Sequence, residues 1–150
     1  MKKRKSNYKY KDIGVSDLVE ISYLYMEAYN QSDWNELWDI NIAYTRLQEF
    51  FSSKTVFGIA CLHNNSIQGV LIYELTSWDN GMQCEIKEVF VSPSNRHKGI
   101  GKALFAELEK RCEKKNVVSY SLWTADTDSL ISFYTKMGFS INNHIIQMTK

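Results

Sequence analysis

Hydrophobic positions recur along this chain with two different periods, and the switches between them divide it into elements. A short alternating stretch over residues 7–13 predicts an edge strand. Ser16 is then placed to cap a helix that carries Leu18, Ile21, Leu24, Tyr25 and Ala28 on one face. Residues 30–39 break that stripe with acidic, amide and indole side chains, and helical spacing resumes over 40–51 with Ala43, Leu47, Phe50 and Phe51. The period then becomes two. Residues 55–62, 66–76 and 83–92 are rich in Val, Ile, Tyr and Phe, and Asn64-Asn65 and Asp79-Asn80-Gly81 stand at the joins, which predicts consecutive antiparallel strands linked by hairpins. Helical spacing returns over 99–115, with Ile100, Ala103, Leu104, Leu108 and Cys112 on one face and Lys110, Arg111, Lys114 and Lys115 largely off it. A strand over 117–124, a helix over 126–137 ended by Gly138, and a last strand over 140–148 complete the expectation. The resulting order is β-α-α-β-β-β-α-β-α-β, a mixed α/β fold.

Composition narrows the class. A length of 150 residues suits one domain, 1–150, and a 44% hydrophobic content with a single Pro predicts a compact core rather than a disordered chain. No apolar run approaches the roughly 18 residues of a membrane span, and no apolar stretch follows the basic start, so neither a membrane nor a secreted protein is expected. Cys61, Cys84 and Cys112 lack C-x-x-C spacing and sit in apolar segments, which reads as reduced core thiols of a cytoplasmic protein. His63, His97 and His144 are scattered, so no metal site is expected.

The net charge of +1 conceals an asymmetry. Residues 1–11 hold six basic groups and no acidic one, so the rest of the chain, with 12 basic against 17 acidic groups, is net −5. The basic start, residues 1–6, reads as a loose arm, and nucleic acid is disfavoured as a partner. A mildly acidic body suits a cationic small molecule better than a polyanion.

The chemistry concentrates in Val89-Phe90-Val91-Ser92-Pro93-Ser94-Asn95-Arg96-His97-Lys98-Gly99-Ile100-Gly101-Lys102. A strand runs into a turn with glycines at i and i+2, and a helix starts there. Such a turn leaves backbone N–H groups without partners and pointing one way, with the helix dipole behind them. It is either a plain strand-to-helix turn or an anion site, most naturally for phosphate. In the second reading Gly99 and Gly101 admit a pyrophosphate close to the backbone, and Arg96, His97, Lys98 and Lys102 add positive charge. Two phosphate patterns fail. The third glycine of G-x-G-x-x-G falls on Leu104, and a P-loop needs Gly at Arg96 and Ser or Thr at Ala103.

What fits is R-x-x-G-x-G at Arg96 to Gly101, followed downstream by Phe133-Tyr134-Thr135-Lys136-Met137-Gly138-Phe139. The chain thereby resembles the GNAT superfamily of acetyl-CoA-dependent N-acetyltransferases, with motif-level likeness over residues 84–139. The resemblance implies a mainly antiparallel central sheet flanked by helices, with acetyl-CoA as cofactor and no metal. It implies a pyrophosphate loop at Arg96, His97, Lys98, Gly99, Ile100, Gly101 and Lys102, and strand amides around Val89, Phe90 and Val91 for the pantetheine arm and the thioester oxygen.

An alkylamine has a pKa of about 10 and must lose a proton before it attacks a thioester. By resemblance Glu88 is the leading candidate for the base and Glu85 the second; alternation puts Glu85 on the opposite face unless a bulge intervenes. Tyr134 matches the family's tyrosine and implies a proton donor to the departing thiolate. Thr127 stands where many relatives have Asn, a shorter cofactor contact. By the same likeness the helix connector lines the acceptor side, where Asp33, Trp34, Glu36 and Trp38 either hold a cation by charge and cation–π contact or serve as packing and helix-end residues. The function so implied is transfer of acetyl to a primary amine, polyamine-like or aminoglycoside-like, by direct attack. Protein or peptide N-acetylation and a non-catalytic acyl-CoA-binding module stay open, and a homodimer is admitted.

Overall fold

The computed structural model describes residues 8–31 and 36–150. The basic arm at 1–6, and with it Asp33 and Trp34, lies outside the described residues. Five strands form one sheet in the order β1-β2-β3-β4-β5: β1 Lys9–Asp12, β2 Val56–His63, β3 Ser66–Trp78, β4 Gly81–Val91 and β5 Val117–Leu122. All neighbours are antiparallel except β4 and β5, which are parallel. The helices are α1 Leu18–Asn30, α2 Ile40–Phe51, α3 Ile100–Cys112 and α4 Asp128–Thr135.

Local chemistry explains the joins. Asn64 and Asn65 have φ of 50° and 62° between the facing residues His63 and Ser66, a two-residue hairpin turn whose left-handed backbone asparagine tolerates. Trp78 faces Gly81 across the second two-residue loop. Ser16 does not cap α1. It lies in a short 3₁₀ turn, and the Asp17 carboxylate accepts the Gly14 N–H at 2.9 Å and pairs with Lys11.

The two faces of the sheet bury different helices. Ile21, Tyr25 and Ala28 of α1 and Ala43 and Leu47 of α2 pack on Val70, Ile72 and Phe90. On the other face Leu104 and Leu108 of α3 pack on Leu71, Cys84 and Ile86, with Phe133 and Tyr134 of α4 against the edge of that cluster. The apolar stripes read from the sequence are thus the buried ones.

Two irregularities of β4 position everything that follows. Ile72 faces Glu88 and Tyr73 faces Ile86, so Lys87 is an extra residue, a bulge. Cys84 and Ile86 therefore point towards α3, whereas Glu88 and Phe90 point towards α1. Second, pairing with β5 covers only Met82 to Ile86, while β4 runs on to Val91. Beyond Ile86 the two parallel strands part, and that edge of β4 has no β5 partner.

The expected last strand over 140–148 does not form. The Asn142 side chain accepts the His144 N–H at 2.9 Å, a local turn in the middle of the run, and Ile141, Ile145, Ile146 and Met148 are exposed. Those four positions do not keep a strict period of two, so no one face of a strand would collect them. Helix and strand ends elsewhere differ by a few residues; β5 stops at Leu122 and α4 begins at Asp128.

Candidate active site

The turn after β4 has the geometry of an anion cradle. A short 3₁₀ turn at Pro93–Asn95 leads into His97, with φ of 62°, and Gly99, with φ of 80°, before α3 starts at Ile100. Glycine takes that left-handed φ without the clash a Cβ brings. The Ala103 N–H bonds the Gly99 carbonyl at 3.0 Å, so the amides of 100–102 precede the helical ladder. Gly101 is needed for room: a Cβ there would sit 3.1 Å from Phe133 Cζ of α4. Ile100 is buried against Gly69, which anchors the helix start on the sheet.

The cationic side chains of this turn divide. His97, Lys98 and Lys102 are exposed, with the Lys98 ammonium 3.1 Å from Asn95 Oδ1. Arg96 instead reaches across to α1, donating to the Ala28 carbonyl at 2.6 Å and the Gln31 carbonyl at 3.1 Å. A guanidinium on the last carbonyls of a helix satisfies them and complements the dipole. It also ties the loop to the C-terminal end of α1. Thr127 caps α4, its hydroxyl accepting the Leu130 N–H at 3.4 Å.

Glu88 is 8% exposed and is the only charged residue buried among those described. Its Oε2 accepts the Tyr29 hydroxyl at 2.5 Å; its Oε1 accepts Arg46 Nη2 at 2.7 Å, Arg46 Nε at 3.2 Å and, more weakly, the Tyr25 hydroxyl at 3.4 Å. Burial and the Glu88 charge push Tyr25 and Tyr29 well above a free phenol, so both stay protonated donors. The bulge at Lys87 brings Glu85 to the same face after all, but Glu85 pairs with Lys87 at 3.1 Å, and Lys87 also reaches Glu74 at 3.5 Å. Glu85 is thus engaged in a half-exposed charge cluster rather than in the aromatic pocket.

Tyr134 lies edge-on to Phe105, Phe133 and Phe139 with ring centroids 5.9, 5.1 and 5.9 Å away. Burial first, and then the charge of Glu88, raise its pKa above that of a free phenol. The two groups come from opposite faces of the sheet and feel each other where β4 and β5 part. Between α1 and α2 the Asn30 side chain clasps the Trp38 backbone at 2.6 and 3.0 Å, and Trp38 Nε1 donates to Glu36. The Trp38 ring packs against Tyr25 at 5.0 Å and under the Arg46 guanidinium at 5.7 Å.

Sequence reasoning missed Arg46 and Tyr29 and took Tyr25 only as core. The available signal was the i, i+4 spacing of Tyr25 and Tyr29, which puts two phenols on one helix face one turn apart.

A strand, a glycine turn and a helix start thus stand beside a parted strand pair, with a buried carboxylate on β4 and a phenol of α4 near the gap. The sequence model described as the acetyltransferase (GNAT) family matches residues 18–139, and the chain belongs to that family. Among solved structures it is similar to a possible acetyltransferase from Clostridium difficile 630 (TM-score 0.83, 16% identity, 95% of this chain and 97% of that one). It is also similar to the aminoglycoside N-acetyltransferase AAC(6')-Iy in complex with CoA (0.75, 15%, 98% and 97%). A third is a ribosomal-protein-alanine N-acetyltransferase from Brucella melitensis biovar Abortus 2308 (0.75, 11%, 95% and 98%). No curated protein matches the chain by sequence. The mixed, mostly antiparallel sheet flanked by helices is the fold of these neighbours.

Proposed function

We propose that this chain, as one domain, is an N-acetyltransferase that moves the acetyl group of acetyl-CoA to a primary amine, a cationic small molecule of polyamine or aminoglycoside kind. The observation that carries the reading is the buried carboxylate of Glu88 on β4 beyond its pairing with β5, on the strand that leads into the glycine turn before α3. Coenzyme A fits the residues present. The amides of 100–102 and the exposed Lys98 and Lys102 would hold its pyrophosphate, and the unpaired edge of β4 at 87–91 would pair with its amide-bearing arm. Bound there, it supplies an activated acetyl group.

The chain's own groups do the proton work. Glu88 takes the proton of the incoming ammonium. β4 amides near Val89 to Val91 stabilise charge on the carbonyl oxygen as the amine adds. Tyr134, kept protonated by burial, donates to the leaving sulfur. Thiol catalysis is disfavoured because burial lifts Cys61 to about 11 and Cys84 to about 12 and raises Cys112 as well. Direct attack follows.

The acceptor class rests on the connector residues Glu36 and Trp38, with Asp33 and Trp34 in the same segment, and on likeness to aminoglycoside acetyltransferases, one of them in complex with sisomicin. An amine screen with thiol release from acetyl-CoA as readout tests the reading. Turnover with small cationic amines supports it; turnover confined to peptide N-termini, or none with any amine despite coenzyme binding, refutes it.

A further inference from the structure

Glu88 has a difficulty as a base. An ionised carboxylate offers about four lone-pair sites. In this structure three donor groups crowd Oε1, the Tyr25 hydroxyl and the Nε and Nη2 of Arg46, with Nε also donating to the Tyr25 oxygen at 3.0 Å, while Oε2 accepts the Tyr29 hydroxyl. The Glu88 charge is thus already matched by Arg46, and an amine approaching Oε1 must displace one of its donors.

The donors differ in how easily they leave. Tyr25 is 1% exposed and wedged between Tyr29, Trp38 and Phe90 at ring distances of 4.6, 5.0 and 5.1 Å. Tyr29 is fixed by the shortest bond to Glu88, 2.5 Å, and by Phe90. Arg46 reaches in from α2, its side chain 42% exposed, with its guanidinium lying over Phe50 at 4.9 Å and Trp38 at 5.7 Å. Water reaches it already, so its departure exposes little. The charged and titratable groups facing Glu88 are Tyr25 and Tyr29 from α1, Arg46 from α2 and Tyr134 from α4, with Lys87, Glu85 and Glu74 paired among themselves on β4 and β3. Among the described residues Arg46 is the only cation that touches Glu88.

The features that would attract a cationic acceptor, an indole, a phenyl ring, a phenol and a buried carboxylate, thus converge on a cation the chain itself supplies. We propose that Arg46 is a removable counter-ion: a protonated primary amine displaces its guanidinium from Glu88, settles between Trp38 and Phe50, and passes its proton to the freed carboxylate oxygen. One N–H bond breaks, one O–H bond forms, and the nitrogen lone pair becomes free to attack. Arg46 is on this account a specificity-determining residue, because a neutral acceptor has no charge with which to replace it. The inference rests on Glu88 being the base.

The test uses spermidine as the probe, titrated by calorimetry into the full chain loaded with coenzyme A, for wild type, Arg46→Met and Arg46→Lys. Met keeps the alkyl packing on Trp38 and Phe50 without the charge. Removal of a half-exposed internal competitor is expected to tighten spermidine binding about fivefold in Arg46→Met. Lys, with one ammonium in place of the fork, should fall between, and carries the test alone if the Met variant does not fold. Added methylguanidinium should compete with spermidine in Arg46→Met. Weaker spermidine binding in both variants, no competition by methylguanidinium in Arg46→Met, or no spermidine binding to any form overturns the proposal. Full turnover by Glu88→Gln would instead overturn the base assignment itself, a separable result.

Discussion

Replacing Glu88 by Gln removes one charge and almost no volume, which makes it the sharpest perturbation of the site. The side chain is 8% exposed and accepts four donor groups, so the amide keeps one acceptor oxygen but turns an NH₂ towards groups that themselves donate. Arg46, 42% exposed, can turn outward and rehydrate, whereas Tyr25 and Tyr29 cannot. The stability loss is therefore held to about 1–3 kcal/mol, the range for buried donors left without an acceptor. The rate effect is larger. Loss of a positioned base costs about 10²–10⁴-fold. The assay is thiol release at saturating acetyl-CoA across pH 6 to 9.5 with any acceptor the amine screen yields, beside a urea melt of the same preparation. A Gln variant that folds, binds coenzyme A and keeps kcat/KM within about tenfold of wild type would refute the reasoning that makes this carboxylate the base.

Further expectations follow from single contacts. Tyr134→Phe should lower kcat about 10²-fold while leaving coenzyme affinity in place, as isothermal titration will report; equal losses in both would mean that the ring and not the hydroxyl matters. Gly101→Val puts a branched side chain where a bare Cβ is already 3.1 Å from Phe133, and should weaken coenzyme A binding by more than about tenfold, with unaltered affinity counting against the cradle. Stability should fall as the medium turns alkaline. Cys61 at about 11 and Cys84 at about 12 hold their protons in the folded state beyond the ordinary thiol value of 9.0, as Tyr25 and Tyr29 do beyond 10.0. The unfolded chain then binds fewer protons, so unfolding free energy drops as pH rises from about 9 towards the folded values. A urea midpoint that is flat or rising between pH 8 and 10.5 would contradict those burials.

Much of this architecture was legible as periodicity. The stripe Leu18, Ile21, Leu24, Tyr25, Ala28 and the face Ile100, Leu104, Leu108, Cys112 are buried as read, because a helix on a sheet leaves one face no alternative. The bulge at Lys87 was not legible. It depends on one extra residue opposite Ile72 and Tyr73, and local sequence carries no mark of cross-strand register. The strand expected at 140–148 failed for the opposite reason: β-favouring Ile residues were present, but an Asn side chain offered the backbone a local partner. At the site, the motifs singled out the glycine turn and Glu88 as candidates, but not the engagement of Glu88 with Arg46. Residues 46 and 88 are brought together only by the packing of α2 against α1, which itself lies on β4, a long-range fact that spacing within either element cannot encode. Arg96 shows the same limit. Its motif position suggested phosphate, while the fold gives its guanidinium to the carbonyls of Ala28 and Gln31.

The most direct test of the whole account is a crystal structure with coenzyme A bound. The account predicts the diphosphate on the amides of 100–102 and the arm running along β4 at 87–91, so that the sulfur lies between Glu88 and Tyr134. Density for the nucleotide on another face of the chain, or a sulfur remote from both side chains, would contradict it.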